Sequence, residues 1–168
     1  MRLMTLGDTM NFAAVPLGCA IRFRRGEQTV TAIKTTINTV DSAVMLHGID
    51  APQLFTSLAA VYFQHNPEVF AMPDLYFALS SDPDDMIIGR ERNFDRGHLF
   101  IYEGQGTLLS YSVGPGSTLL NIETGASVAI GAVQGEPIEV TRWALVATLF
   151  DKPITLFTHP DDRPLRFA

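Results

Sequence analysis

The sequence predicts a mainly β fold, a β-sandwich or small barrel, with one amphipathic helix at about 51–65. Three observations carry this. Short apolar runs follow one another at 75–79, 86–88, 98–103, 107–113, 118–123, 127–133, 138–149 and 154–158. Most gaps between them hold glycine or proline: Gly104, Gly106, Gly114-Pro115-Gly116, Gly125, Gly135, Pro137 and Pro153. Upstream, residues 19–37 alternate with a period of two. Brief strands at close spacing with turn signals between them are the pattern of sandwiches and small barrels.

Taken in order, Ile21 and Phe23 alternate with Arg22 and Arg24, and Arg25-Gly26-Glu27 supplies a turn. The run from Thr29 to Thr35 is rich in β-branched residues, so 19–37 reads as a hairpin. Residues 43–47 read as another short strand. The helix expected at 51–65 rests on Asp50 as cap, Pro52 in the first turn, and Leu54, Phe55, Leu58, Val61 and Tyr62 on one face. Asn66-Pro67 would stop it. His65 would then lie in the last helical turn, facing the negative dipole end. Near 66–73 a hairpin-plus-helix portion, 1–66, gives way to an all-β portion, 74–168. Both are expected to share one core, within a single domain over 1–168.

Composition bounds the function. The chain has 168 residues, 46% hydrophobic and 18% charged, which suffices for a packed core and excludes intrinsic disorder. Net charge is -6 and the isoelectric point about 5.1, so a phosphate-neutralising surface is not expected and nucleic acid is not an expected partner. A single cysteine, Cys19, allows no intrachain disulfide, which fits the cytoplasm or another reducing compartment. Cys19 itself reads as a buried, inert thiol. Gly7 and Asp8 interrupt the first apolar stretch, so a signal peptide is not expected, and no window has the length of a membrane span.

The stretch from His98 to Val146 resembles the cupins, small double-stranded β-helix barrels of the jelly-roll kind. The resemblance lies in Phe100-Ile101-Tyr102-Glu103-Gly104-Gln105-Gly106-Thr107-Leu108, then Pro115-Gly116-Ser117, Leu120-Asn121-Ile122 and Gly125. Gly135-Glu136-Pro137-Ile138-Glu139-Val140 is similar to the closing strands. Metal-binding cupins supply three histidines and a glutamate from two motifs. Here Val128 stands where the second-motif histidine should fall. Arg90, Arg92, Asn93 and Asp95 occupy the first-motif region, with His98 alone beside them. The resemblance therefore implies a cupin-like barrel without metal or other cofactor.

Chemistry-bearing residues are few. The histidines are His47, His65, His98 and His159, with no His-x-His, His-Glu-x-x-His or Cys-x-x-Cys. His98 is the one beside potential partners, Asp95, Arg96 and Glu103. The densest charge run holds Arg90, Glu91, Arg92, Asp95 and Arg96. It reads either as a solvated loop with surface ion pairs or as a barrel-mouth clamp for a carboxylate or phosphate. Arg22 and Arg24 would share one side of a strand, as an anion patch or as protection of a strand edge. The turns containing Pro83-Asp84-Asp85 and Pro160-Asp161-Asp162 follow ordinary turn chemistry. Gly104-x-Gly106 lacks the rest of a dinucleotide motif, and there is no Gly-x-Ser-x-Gly elbow. Trp143, with Arg142 beside it, reads as core or as cavity lining.

These observations point first to a non-catalytic, β-rich structural or interaction protein. It would act through homo-oligomer contacts or with other proteins of a larger assembly, a virion being one instance. The second expectation is a metal-free, cupin-like module binding a small polar or anionic ligand through Arg90, Arg92, Asp95, His98, Glu103 and Trp143. The third is a cupin-type isomerase or lyase using His98, Glu103 and the neighbouring arginines as acid, base and clamp. No residue is assigned as catalytic.

Overall fold

A computed structural model describes residues 7–50, 53–58, 60–88, 93–149, 151–160 and 165. Three antiparallel sheets account for its strands. The first takes β1 (Asp8–Asn11), β2 (Ala20–Arg25), β3 (Gln28–Ile37), β4 (Val40–His47), β5 (Ser57–Leu58) and β6 (Glu68–Met72), in the order β1-β6-β2-β3-β4-β5. The second takes β8 (Met86–Ile88), β9 (Leu99–Tyr102), β10 (Gly106–Val113), β11 (Gly116–Asn121), β12 (Ser127–Val128) and β13 (Ile138–Val140), in the order β12-β11-β10-β9-β13-β8. The third is β15-β14-β7, from β7 (Leu75–Leu79), β14 (Trp143–Leu149) and β15 (Lys152–His159). The mainly β, sandwich-like arrangement expected from the turn spacing is present.

The hairpin at 19–37 forms as β2 and β3, with Arg25 opposite Gln28. The next turn joins Ile37 to Val40 through Asn38 and Thr39, both at positive φ, which suits the right-handed twist of the strands it connects. Residues 30–35 of β3 are buried without interruption. The cause is that both faces of this sheet are covered. Val30, Ala32, Ala43 and Met45 turn to a cluster closed by Phe12, Val15 and Phe63. Ile33, Val44 and Leu46 turn to a second cluster shared with Leu99, Leu109 and Leu120 of the second sheet and Trp143 and Leu145 of the third. Sheets covered on both faces read as continuous apolar runs rather than as alternation.

The helix expected at 51–65 does not form. Ala51, Pro52 and Ala59 lie outside the described residues; among the rest, 53–58 bend into the sheet. Phe55 sits at φ 50°, a left-handed conformation no α-helix tolerates. Its N–H donates to Met45 O at 2.7 Å and its carbonyl accepts from Ser112 N at 2.8 Å. Ser57 and Leu58 pair with Val44 and Ala43 of β4. Hydrogen bonds to two sheets thus replace the i to i−4 ladder. Of the proposed apolar face, Phe55 and Leu58 are buried while Val61 is 63% exposed. A short 3-10 turn, Ala60–Phe63, is the helical remnant, and His65 is exposed beyond it.

Two expected strands are shorter than their apolar runs. The run at 127–133 becomes β12 followed by a 3-10 turn at Ile130–Ala132. The run at 138–149 divides into β13 and β14, because Thr141 and Arg142 leave the second sheet for the third. Thr141 N donates to Asp85 O at 2.9 Å, and Arg142 O accepts from Ser80 N at 3.1 Å. The guanidinium of Arg142 is buried there, with Nε 3.6 Å from Asp85 Oδ2. No described helix is long and apolar enough to cross a membrane.

Candidate functional site

His98 stands at the end of a turn that is tied down on both sides. Gly97 N donates to Ser110 O at 2.9 Å, Ser110 N donates to His98 O at 3.0 Å, and Ser110 Oγ donates to Phe94 O at 2.8 Å. Behind the turn, the Trp143 indole N–H donates to Gly97 O at 2.6 Å. Gly97 is required by packing as well as by its φ of 84°. A Cβ there would fall 2.5 Å from Phe55 Cε2 and 2.7 Å from His159 Nε2.

Across the sheet, Glu139 pairs with Phe100 in register, so Glu139, Phe100 and His98 share one face. The diagonal neighbours meet: His98 Nδ1 and Glu139 Oε1 are 2.7 Å apart, with side chains 23% and 16% exposed. A carboxylate only accepts, so Nδ1 carries the proton of this contact. Asp95, exposed at the rim, completes a set of three whose ligand atoms all lie within 4.8 Å of one another. His159 is next to them, its ring centroid 6.4 Å from that of His98 and packed edge-on to Phe55 at 4.6 Å.

The structure thus brings Asp95 and His98 together and places Trp143 behind them as fully buried support rather than as lining. Glu103 is elsewhere, exposed in the β9–β10 turn at the far end of β9. Five residues of extended chain, roughly 16 Å, separate it from His98, so Glu103 is not a partner of His98. Arg90 and Arg92 lie outside the described residues. Glu139 was missed by sequence reasoning, and alternation could not have found it: it shares a face with the buried Phe100 and its side chain is 16% exposed, whereas its apolar neighbour Ile138 is 38% exposed. His159 had no signal either; its position follows from pairing with Trp143.

On its other side His159 borders an open cleft of 490 Å³, lined also by Gln28, His47, Asp50, Phe157 and Thr158. The His47 ring stacks on Phe157 at 5.0 Å. Of the basic side chains of β2, Arg22 Nε donates to Thr31 Oγ1 at 3.5 Å and Arg25 Nη1 to Gln53 Oε1 at 2.6 Å, while Arg24 is engaged through its backbone carbonyl, which accepts from Tyr62 OH at 2.6 Å. Arg22 is paired on both sides, with Phe70 of β6 and Thr31 of β3, so edge protection is not its role; Arg24 lies past the end of the β6 ladder.

A second feature lies one strand away. β8 is the outermost strand of its sheet and, among the described residues, pairs only with β13. Met86, Ile87 and Ile88 are 37%, 43% and 73% exposed, and Ile138, opposite Ile88, is 38% exposed. Alternate residues of a strand point to opposite faces, so neither face of this edge is covered.

Comparison with family models, with curated proteins and with solved structures finds no match. The sandwich-like β fold is compatible with a jelly-roll or cupin-like barrel.

Proposed function

We propose that the protein is a non-catalytic interaction protein that assembles with a second copy of itself through the β8 edge. The observation that carries this is the run Met86-Ile87-Ile88, wholly apolar and exposed on an outermost strand that is paired on one side, with β13. This three-residue edge is short but neither charged nor covered, and free N–H and C=O groups flanked by apolar side chains template strand addition. Antiparallel pairing of two copies about Ile87 is self-complementary, Met86 of each copy meeting Ile88 of the other, as an isologous two-fold contact requires. Multi-angle light scattering of the wild type and of Ile88→Lys tests it. A wild-type dimer that the substitution converts to a folded monomer supports the proposal. A wild type that stays monomeric at its highest soluble concentration overturns it.

A second reading is favoured by the cleft beside His159. A cupin-like module would take a small polar ligand there, between His47, Asp50 and Thr158. Ligands that bind only the folded state raise the unfolding temperature. A metabolite screen in which no hit loses its effect in His47→Ala removes this reading.

A further inference from the structure

We infer that Asp95, His98 and Glu139 form a binding site for a divalent transition-metal cation of the Zn²⁺ class. One imidazole nitrogen and two carboxylates are a ligand set such ions accept. Their ligand atoms, within 4.8 Å of one another, are 41 residues apart in sequence between His98 and Glu139, and the fold alone gathers them. Metal–ligand bonds of about 2.0–2.2 Å place the donors of a tetrahedral ion about 3.4 Å apart. The His98–Glu139 contact of 2.7 Å is shorter than that and the outer limit of 4.8 Å longer. An ion replacing the Nδ1 proton therefore needs the first pair to open slightly and the exposed Asp95 side chain to swing inward.

The supports are stiff where they must be. Glu139 sits on a strand held between β9 and β8, and His98 is clamped through Ser110 and the Gly97–Trp143 bond. Three protein ligands leave a coordination position for water or a small ligand, on the side where Asp95 meets solvent. Two carboxylates offset the charge of the ion, and the histidine biases the site against Ca²⁺ and Mg²⁺, which prefer all-oxygen shells. None of this depends on the β8 contact, and binding is read from heat and stoichiometry rather than from mass.

Calorimetric titration of the full chain with Zn²⁺, and separately with Ca²⁺, tests the site. One Zn²⁺ per chain is expected. His98→Ala and Asp95→Asn should each weaken binding by at least the ~10-fold that even outer-shell substitutions cost. His65→Ala, at an exposed histidine elsewhere, should leave it intact. Asp95 is exposed, so its variant keeps the test valid even where His98→Ala fails to fold. Absence of Zn²⁺ binding, binding unaffected by Asp95→Asn, or Ca²⁺ binding as tight as Zn²⁺ would each overturn the assignment.

Discussion

The backbones of Gly18 and Gly125 pass so close that a Cβ built on Gly125 would lie 2.1 Å from Gly18 N. This contact joins the loop before β2 to the turn before β12. It is reinforced by Thr35 Oγ1, which donates to Gly125 O at 2.8 Å, and by a bridge between Thr36 and Ala126. The first and second sheets are held together here by close backbone contact, one β-bridge and the Thr35 hydroxyl. Gly125→Ala should cost about 3 kcal/mol or more, because backbone has nowhere to move. Gly104→Ala, at a similar φ of 72° but with nothing within 4 Å, should cost roughly 1–2 kcal/mol from the left-handed conformation alone. Urea unfolding of the two variants separates crowding from conformational strain.

Lys34 is 2% exposed on β3, yet its ammonium is fully engaged. Nζ donates to the carbonyls of Phe12, Ala13 and Val15 at 2.9, 3.1 and 2.8 Å and lies 3.0 Å from Asp41 Oδ2. It thereby fastens the 3-10 turn Phe12–Ala14 over the first core cluster. Lys34→Met keeps the stem and removes the donors, and should destabilise by about 3 kcal/mol. Asp41→Asn should cost under about 1 kcal/mol, since that carboxylate is 42% exposed and screened. Equal losses in denaturant melts would contradict this division.

Asp85 faces Arg142 in the buried junction between the second and third sheets. Ser80 Oγ donates to the same carboxylate at 2.5 Å. Breaking a buried pair from one side costs about 3–5 kcal/mol. Asp85→Ala should lose that much, and Asp85→Ala with Arg142→Met should recover part of it. A double-mutant cycle with no coupling would show that the two charges act independently.

Alkaline pH should destabilise the fold through two buried groups. Burial raises the Cys19 thiol above its ordinary 9.0, against a smaller opposing effect of a backbone hydrogen bond at Met72. Burial likewise raises the Tyr111 phenol above 10.0, opposed by its hydrogen bond with Ser127. The folded state holds these protons more tightly than the unfolded chain. Their contribution is complete below the unfolded values and is lost as pH rises past about 9 for Cys19 and 10 for Tyr111. Tyr111→Phe should flatten the upper part of the stability profile and Cys19→Ala its beginning. An unchanged slope in either variant would refute the assignment. The folded protein should also alkylate slowly at Cys19 near neutral pH.

Strand-forming segments were legible where the evidence is local. The alternation at 21–24, the β-branched run 29–35 and the Gly104–Gly106 and Gly114–Gly116 turns each follow from a few adjacent residues. The segment 53–58 was not legible, because Leu54, Phe55 and Leu58 satisfy helical spacing and sheet packing equally. Only the hydrogen bonds from Phe55 to Met45 and Ser112 decide between them. At the candidate site, Asp95 and His98 were visible as neighbours in sequence. Glu139 was not, since its approach depends on β13 lying beside β9.

The sequence by itself determined that the chain builds short strands around glycine and proline turns, for periodicity and turn chemistry are properties of single segments. Which strands became neighbours, which carboxylate reached His98 and which described strand lies outermost were decided by the tertiary structure. Those outcomes depend on hydrogen bonds and buried surfaces between segments far apart along the chain, and no stretch of residues carries them alone.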